Sequence, residues 1–324
     1  MTMDELKKQI SNIIGKSTCS AEFYFLIGHD DDLSVKSVDI NHDDHNELAD
    51  IFIQSLSDQV LMDDELTLLE LSSADSRKDV IYRYDLDTIP AQLGSLKDII
   101  ETDDFEAFDI SSDDFSNLAG ILILLGDQDT QIALYKHQYP VSLLKKDSGG
   151  FNLMKPNGAN RLKKLDSDIL KINAKFEFFK INGQYYILDL KSLERFFGFH
   201  EAIKNVAKEG IGNIESTNLV MNCELFTDRL GDISFARKLV KSAKNSPVLG
   251  IIPNHQIISF TKTHPSLKSK FKYSDDGSQF NLKTKKSQEL FLKLLNDDFL
   301  QSELTKQYYE SIAKDNMEAL TTVS

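Results

Sequence analysis

The chain has 324 residues, 41% of them hydrophobic and 27% charged, with a formal net charge of -14 at pH 7. That is enough for two domains and a substantial core, and it excludes a disordered chain. The apolar run LAGILILLG at 118–126 is far too short to span a bilayer, and the amphipathic start MTMDELKKQISNIIGK lacks a signal peptide's apolar centre, so the expected compartment is the cytoplasm.

The spacing of apolar residues predicts a helix over about 3–15. Strands follow at 21–27 and 33–40, across the acidic turn GHDDD. Asn41 is a candidate N-cap for a helix running to about residue 60, in which Leu48, Ile51, Phe52 and Leu56 recur at helical spacing. Strand candidates come next at 65–71 and 79–86, then the acidic stretch ETDDFEAFDISSDDF at 101–115, then a buried strand pair at 120–126 and 131–137. The segment 140–166 is rich in Gly, Asn, Pro and Lys and reads as a boundary or loop. Beyond it, 171–190 reads as a hairpin turning at Asn182-Gly183. Helices are expected at 191–209, 217–230 and 233–244, and a second hairpin at 270–283 turns at Asp276-Gly277. Helices from about 285 to 320 close the chain. The expected fold class is α+β (mixed α/β), with two domains, each a small, mostly antiparallel sheet with packed helices: an acidic domain at 1–140 and a basic one at 141–324.

Charge divides the same way. Residues 1–130 hold 8 Lys and Arg against 30 Asp and Glu, a balance of -22, while residues 131–324 hold 29 against 21, a balance of +8. A basic half beside an acidic one points toward nucleic acid or another anionic surface. The cations cluster as Arg161, Lys163 and Lys164, as Arg237, Lys238, Lys241 and Lys244, and as Lys268, Lys270, Lys272, Lys283, Lys285 and Lys286. In ISFARKLVKSAKNSP, 233–247, Phe235, Ala236, Leu239, Val240 and Ala243 fall on one side of a helix and Arg237, Lys241 and Lys244 on the other. Lys268, Lys270 and Lys272 alternate, which on a strand puts three ammonium groups on one face, with Phe271 and Tyr273 on the other as core. Such surfaces contact phosphates with little sequence preference.

Catalytic signatures are sparse. No phosphate-wrapping GxxxxGK[ST] loop is present, and Gly210-Ile-Gly212 lacks the third glycine and preceding strand of a dinucleotide site. His42 and His45 among Asp43 and Asp44 read as a solvated helix start rather than a metal site, and the distant Cys19 and Cys223 as packing thiols. The enzymatic alternative is Asp189 and Lys191 in QYYILDLKS, similar to the D/E-x-K element of restriction-type nucleases, with Asp166 or Asp168 as an upstream Mg²⁺ ligand. No cofactor and no resident metal are expected.

The stretches FFKINGQYYILDLKSLERFFGF (178–199), HEAIKNVAKEGIGNI (200–214) and ISFARKLVKSAKNSPVL (233–249) resemble the B-component (KwaB) family of the bacterial Kiwa anti-phage system. The resemblance implies a cytoplasmic protein that binds DNA and restrains phage DNA replication and expression; with the cationic surface, the expected function is non-enzymatic binding of phage double-stranded DNA with low sequence specificity. The resemblance also implies a small multi-spanning membrane partner, the Kiwa A component, which holds the protein at the bacterial inner membrane, and a homodimer. It transfers no catalytic or DNA-contacting residues, so the candidate binding residues are the cations named above. A protein-binding adaptor is the remaining alternative.

Overall fold

A computed structural model describes residues 1–29, 32–74, 77–87, 89–102, 104–109, 112–139, 143–144, 153–154, 161–165, 167–197 and 199–310. The chain forms two compact units, one of residues 1–68, 81–83 and 89–198, the other of residues 69–80, 84–88 and 199–324.

The first unit carries α1 (Met3–Ile14), β1 (Ser20–His29), β2 (Asp32–Ser37), α2 (His42–Leu56), β3 (Thr67–Glu70), β4 (Val80–Arg83), α3 (Ala91–Glu101), β5 (Leu118–Gly126) and β6 (Gln131–His137). Four two-residue strands follow: β7 (Leu143–Leu144), β8 (Leu153–Met154), β9 (Lys163–Lys164) and β10 (Ile169–Leu170). The unit ends with β11 (Phe178–Ile181), β12 (Gln184–Ile187) and α4 (Leu190–Phe196). Eight strands make one sheet in the order β2-β1-β5-β6-β11-β12-β4-β3. The Asn182-Gly183 hairpin therefore extends the acidic half's sheet instead of founding a second one: Phe179 pairs with Leu134 of β6 on one side and Tyr186 of β12 on the other. The apolar run of β5 takes a central place between β1 and β6 and is buried almost throughout, as a strand covered on both faces requires.

Both helix starts expected in this unit are capped. Thr2 and Glu5 form a capping box on α1, and Asn41 accepts the Asp43 and Asp44 N–H groups. Leu6, Ile10, Phe52 and Leu56 pack onto Phe23, Ile121, Ile123 and Leu134 of the sheet. The acidic stretch is held by its aromatics: Phe108 and Phe115 meet Phe25, and Phe105 meets Tyr24 edge-on.

The second unit is mainly helical. It holds α5 (Phe199–Ser216), α6 (Glu224–Thr227), α7 (Ile233–Asn245), α8 (Asn254–Thr263), β13 (Lys272–Tyr273), β14 (Phe280–Asn281), α9 (Lys285–Leu295), β15 (Phe299–Gln301) and β16 (Tyr308–Glu310). Its core joins Phe226, Phe235, Phe280 and Phe291, all fully buried. Gly210 belongs to the α5–α7 contact: a Cβ there would lie 2.8 Å from the Ala243 Cβ. The strand pairs of this unit are two-residue and three-residue hairpins, β13–β14 and β15–β16.

Three expectations are corrected here. The helix expected over 217–230 is only the single turn α6 within a run of turns. The chain after α9 forms the β15–β16 hairpin, where helix was expected; residues 311–320 lie outside the described residues. Helices α3 and α8 were not anticipated. Each opens directly after a proline, Pro90 and Pro253, whose fixed φ and missing N–H suit a helix start.

Candidate nucleic-acid interface

The basic helix α7 forms as its pattern predicts. Asp232 caps it, accepting the Ser234 and Phe235 N–H groups at 3.1 and 3.2 Å. Phe235, Ala236, Leu239 and Val240 are buried, and Ala243 is half-buried. On the other side Lys238 and Lys244 are exposed, while Arg237 and Lys241 are half-buried. This is not a bare cationic face. Arg237, Lys238 and Lys241 line a cavity of about 190 Å³ that Glu289 and Asp298 also line. The Lys244 ammonium donates to the Asp85 carbonyl at 3.3 Å, and the Asn245 amide donates to the Ser72 and Ser73 hydroxyls, both at 2.8 Å.

Arg229, which drew no attention in the sequence, ties this helix to α9. Its guanidinium bonds Glu289 at 2.9 Å, the Lys285 carbonyl at 3.2 Å and the Gln288 side chain at 3.4 Å. It also lies 3.8 Å from the centre of the Phe235 ring. The side chain is only 8% exposed, and a buried charge persists only where it is so paired. No periodicity in the sequence signals such a residue, because its partners come from a segment some sixty positions away.

The densest free charge sits at the start of α9. Lys283, Lys285 and Lys286 are exposed around a helix whose first turn is closed by a Thr284–Ser287 capping box. Lysines there face the positive end of the helix dipole, which does nothing for the helix and makes the position attractive to an anion. Lys272 stands exposed on β13, but Lys268 and Lys270 do not continue that strand. The Lys268 N–H bonds the His264 carbonyl and the Lys270 N–H that of Leu267, with Ser269 at φ 70°. The chain is wound into turns there, so the three-ammonium strand face is replaced by exposed lysines on a bend. Phe271 is buried, as expected.

Arg161, Lys163 and Lys164 are exposed but belong to the first unit, on or beside β9, which pairs with β8.

Asp189 and Lys191 lie just after β12, at the start of α4. Asp189 is the N-cap of α4: its carboxylate accepts the Lys191 and Ser192 N–H groups at 3.0 and 3.1 Å and the Ser192 hydroxyl at 2.9 Å. Lys191 projects from the first turn and is exposed. Asp168 is exposed, and Asp166 lies outside the described residues. Among the described residues no three His, Cys, Asp or Glu side chains gather as a metal site. His42 approaches the Asn46 amide at 3.3 Å, and His45 meets the Phe23 ring. Cys19 and Cys223 are free thiols; burial raises the pKa of both, that of Cys223 to about 11.

The first unit also holds a buried polar group that sequence reasoning missed. Glu177, just before β11, accepts the His137 N–H at 2.6 Å, and Lys136 donates to the Asn173 side chain at 2.8 Å. Burial pushes the Glu177 carboxyl up to about 7. Burial, with help from the Lys136 charge, holds His137 down to about 4.

Taken together, these features define an α+β protein with a sheet unit and a mainly helical unit that carries exposed lysine clusters. Among the described residues no helix is long and apolar enough to cross a membrane. The model of the Kiwa protein KwaB-like family matches residues 115–305, more than half of the chain. The chain is also 31% identical to Kiwa protein KwaB of Escherichia coli O55:H7 (strain RM12579 / EPEC), over 98% of this chain and 100% of that protein. The chain belongs to the Kiwa protein KwaB-like family, as the resemblance over 178–249 implied. No solved structure matches it.

Proposed function

We propose that this protein is an anti-phage defence effector that binds double-stranded DNA without cleaving it. The observation that carries the reading is the gathering of exposed lysines on one compact unit: Lys283, Lys285 and Lys286 at the α9 N-terminus, Lys268, Lys270 and Lys272 on the bend before β13 and on it, and Lys238 on α7. Lysines on turns and at a helix start meet phosphates as point charges and read no bases. Low sequence specificity follows, and bound phage DNA is thereby withheld from replication and expression.

In this reading the acidic unit serves the protein partners, a small multi-spanning membrane protein (the Kiwa A component) and a second copy of the chain. Support comes from α2 and the turn after it, where Glu47, Asp50 and Asp58, with Lys175, line a shallow depression around an Ile51 that is 42% exposed. An exposed apolar residue beside three carboxylates suits a basic partner segment.

The test is binding of labelled linear duplex across a salt series, with and without Mg²⁺, for the wild type and for Lys283→Glu/Lys285→Glu/Lys286→Glu. Affinity that falls with salt, collapses in the triple variant and leaves the DNA intact supports the proposal. Cleavage with Mg²⁺ returns the nuclease, and no binding even at low salt leaves a protein-binding adaptor.

A further inference from the structure

Where α8 ends, three rings stand in a row. Phe260 and His264 lie 4.9 Å apart, and His264 meets Tyr308 of β16 at 4.8 Å, nearly edge-on at 82°. The middle ring is 6% exposed, whereas Phe260 and Tyr308 are 38% and 44% exposed. The row is anchored from within: His264 also packs on Phe299 of β15, and the His264 Nδ1 accepts the Ser266 N–H at 3.3 Å. That bond leaves the ring proton on Nε2, a buried atom with no hydrogen-bond acceptor among the described residues. The polar edge of His264 is thus left to the neighbouring rings, a weak contact that is tolerated at the centre of the row.

Two partly exposed outer rings packed on a buried third are what a base needs in order to stack. The surroundings select a polyanion. Lys268 is exposed one turn after His264, with its N–H on the His264 carbonyl. Lys262 is exposed on α8, and Lys306 is exposed in the loop leading to Tyr308. The nearby Lys293 is already matched by Glu310. Lys262 also lies 4.7 Å from the centre of the Tyr273 ring, but among the described residues Lys268 and Lys306 have no carboxylate partner, and an aromatic surface meant only for another protein has no need of them.

We infer that Phe260 and Tyr308, held by His264, form a stacking platform for single-stranded nucleic acid. Duplex bases are already stacked on one another and offer no faces, so the platform discriminates strand state where the lysines read only phosphate. It deepens the DNA-binding reading but is carried by different residues, so the two can fail separately.

The experiment uses the full-length chain and a labelled oligothymidylate of roughly 16 nucleotides, followed by anisotropy and by tyrosine emission, which no Trp obscures in this sequence. A duplex is titrated in parallel. Phe260→Ala and Tyr308→Ala should each weaken oligothymidylate binding by about 5- to 150-fold, Tyr308→Phe should keep it, and duplex affinity should be unchanged in all three. If an alanine variant melts early, Phe260→Leu and Tyr308→Leu keep apolar bulk without a π face and must show the same loss. Wild-type protein that ignores oligothymidylate, or alanine variants that bind it undiminished, would overturn the platform. So would variants that change only the oligomeric state in sedimentation, which would assign the rings to a second copy. Loss of the duplex arm alone would sink the lysine surface and leave the platform standing.

Discussion

The Asp189 carboxylate accepts the Lys191 main-chain N–H at 3.0 Å, so the two residues that spell a nuclease element are joined as a helix cap and the residue it caps. The cap accounts for the aspartate without chemistry. Asp189→Asn keeps an accepting oxygen and should change stability by a few tenths of a kcal/mol, while Asp189→Ala should cost about 1 kcal/mol. Denaturant midpoints of the two variants check this. Mg²⁺-dependent DNA cleavage that vanishes in Asp189→Asn would put the residue back in a catalytic role.

Arg229 is the most committed charge of the helical unit. Arg229→Ala strands the carbonyl and side-chain acceptors on α9 and removes the guanidinium from the Phe235 ring. We expect a loss of about 3 kcal/mol. Arg229→Lys should recover only part of it, since one ammonium cannot span the same fork of partners. Chemical denaturation monitored on the whole chain measures both, and a lysine variant as stable as wild type would refute the fork argument.

Glu177 and His137 should give opposed pH dependences. In the folded chain Glu177 keeps its proton up to about 7, against an ordinary value of 4.5. Its contribution is therefore fully present below 4.5 and lost as pH rises through 7, by at most about 3 kcal/mol. His137 is held down to about 4 from 6.5, so its contribution is present above 6.5 and lost as pH falls through 4. Between 4.5 and 6.5 the two slopes offset each other. Glu177→Gln, which keeps the bond from the His137 N–H, should unmask stability that falls steadily below pH 6.5. A Glu177→Gln profile parallel to wild type from pH 4 to 8 would contradict this account.

Gly210 sets how closely α5 approaches α7. With a Cβ only 2.8 Å from that of Ala243, Gly210→Ala forces the helices apart despite alanine's better helix propensity, and should destabilise by about 1–3 kcal/mol. Pairing it with Ala243→Gly should restore most of the loss. An additive double variant would show that the two sites do not touch.

The local signals were legible where local physics decides. The Asn41 cap, the Asn182-Gly183 turn, the amphipathic α7 and the buried run of β5 all stand as the sequence predicts, because each depends on neighbours within a few residues. The errors have the opposite character. The run 299–310 is rich in helix-compatible residues, yet it pairs into a hairpin whose Phe299 and Tyr308 find His264 across the unit. Lys268 and Lys270 alternate like strand residues but are wound into turns by main-chain bonds to His264 and Leu267.

What the sequence by itself determined was the elements, their caps and the division of charge, since these follow from spacing, hydrogen bonds near in the chain and simple composition. The family could be read there too, from the texture of 178–249. Only the tertiary structure decided that β11 and β12 complete the acidic unit's sheet, that Arg229 binds α9 and that Phe260, His264 and Tyr308 form a row. Apart from the contact of Phe260 with His264 on one helix end, those relations join residues tens of positions apart, and their energies come from burial and ring contact, which exist only once the chain has closed around them.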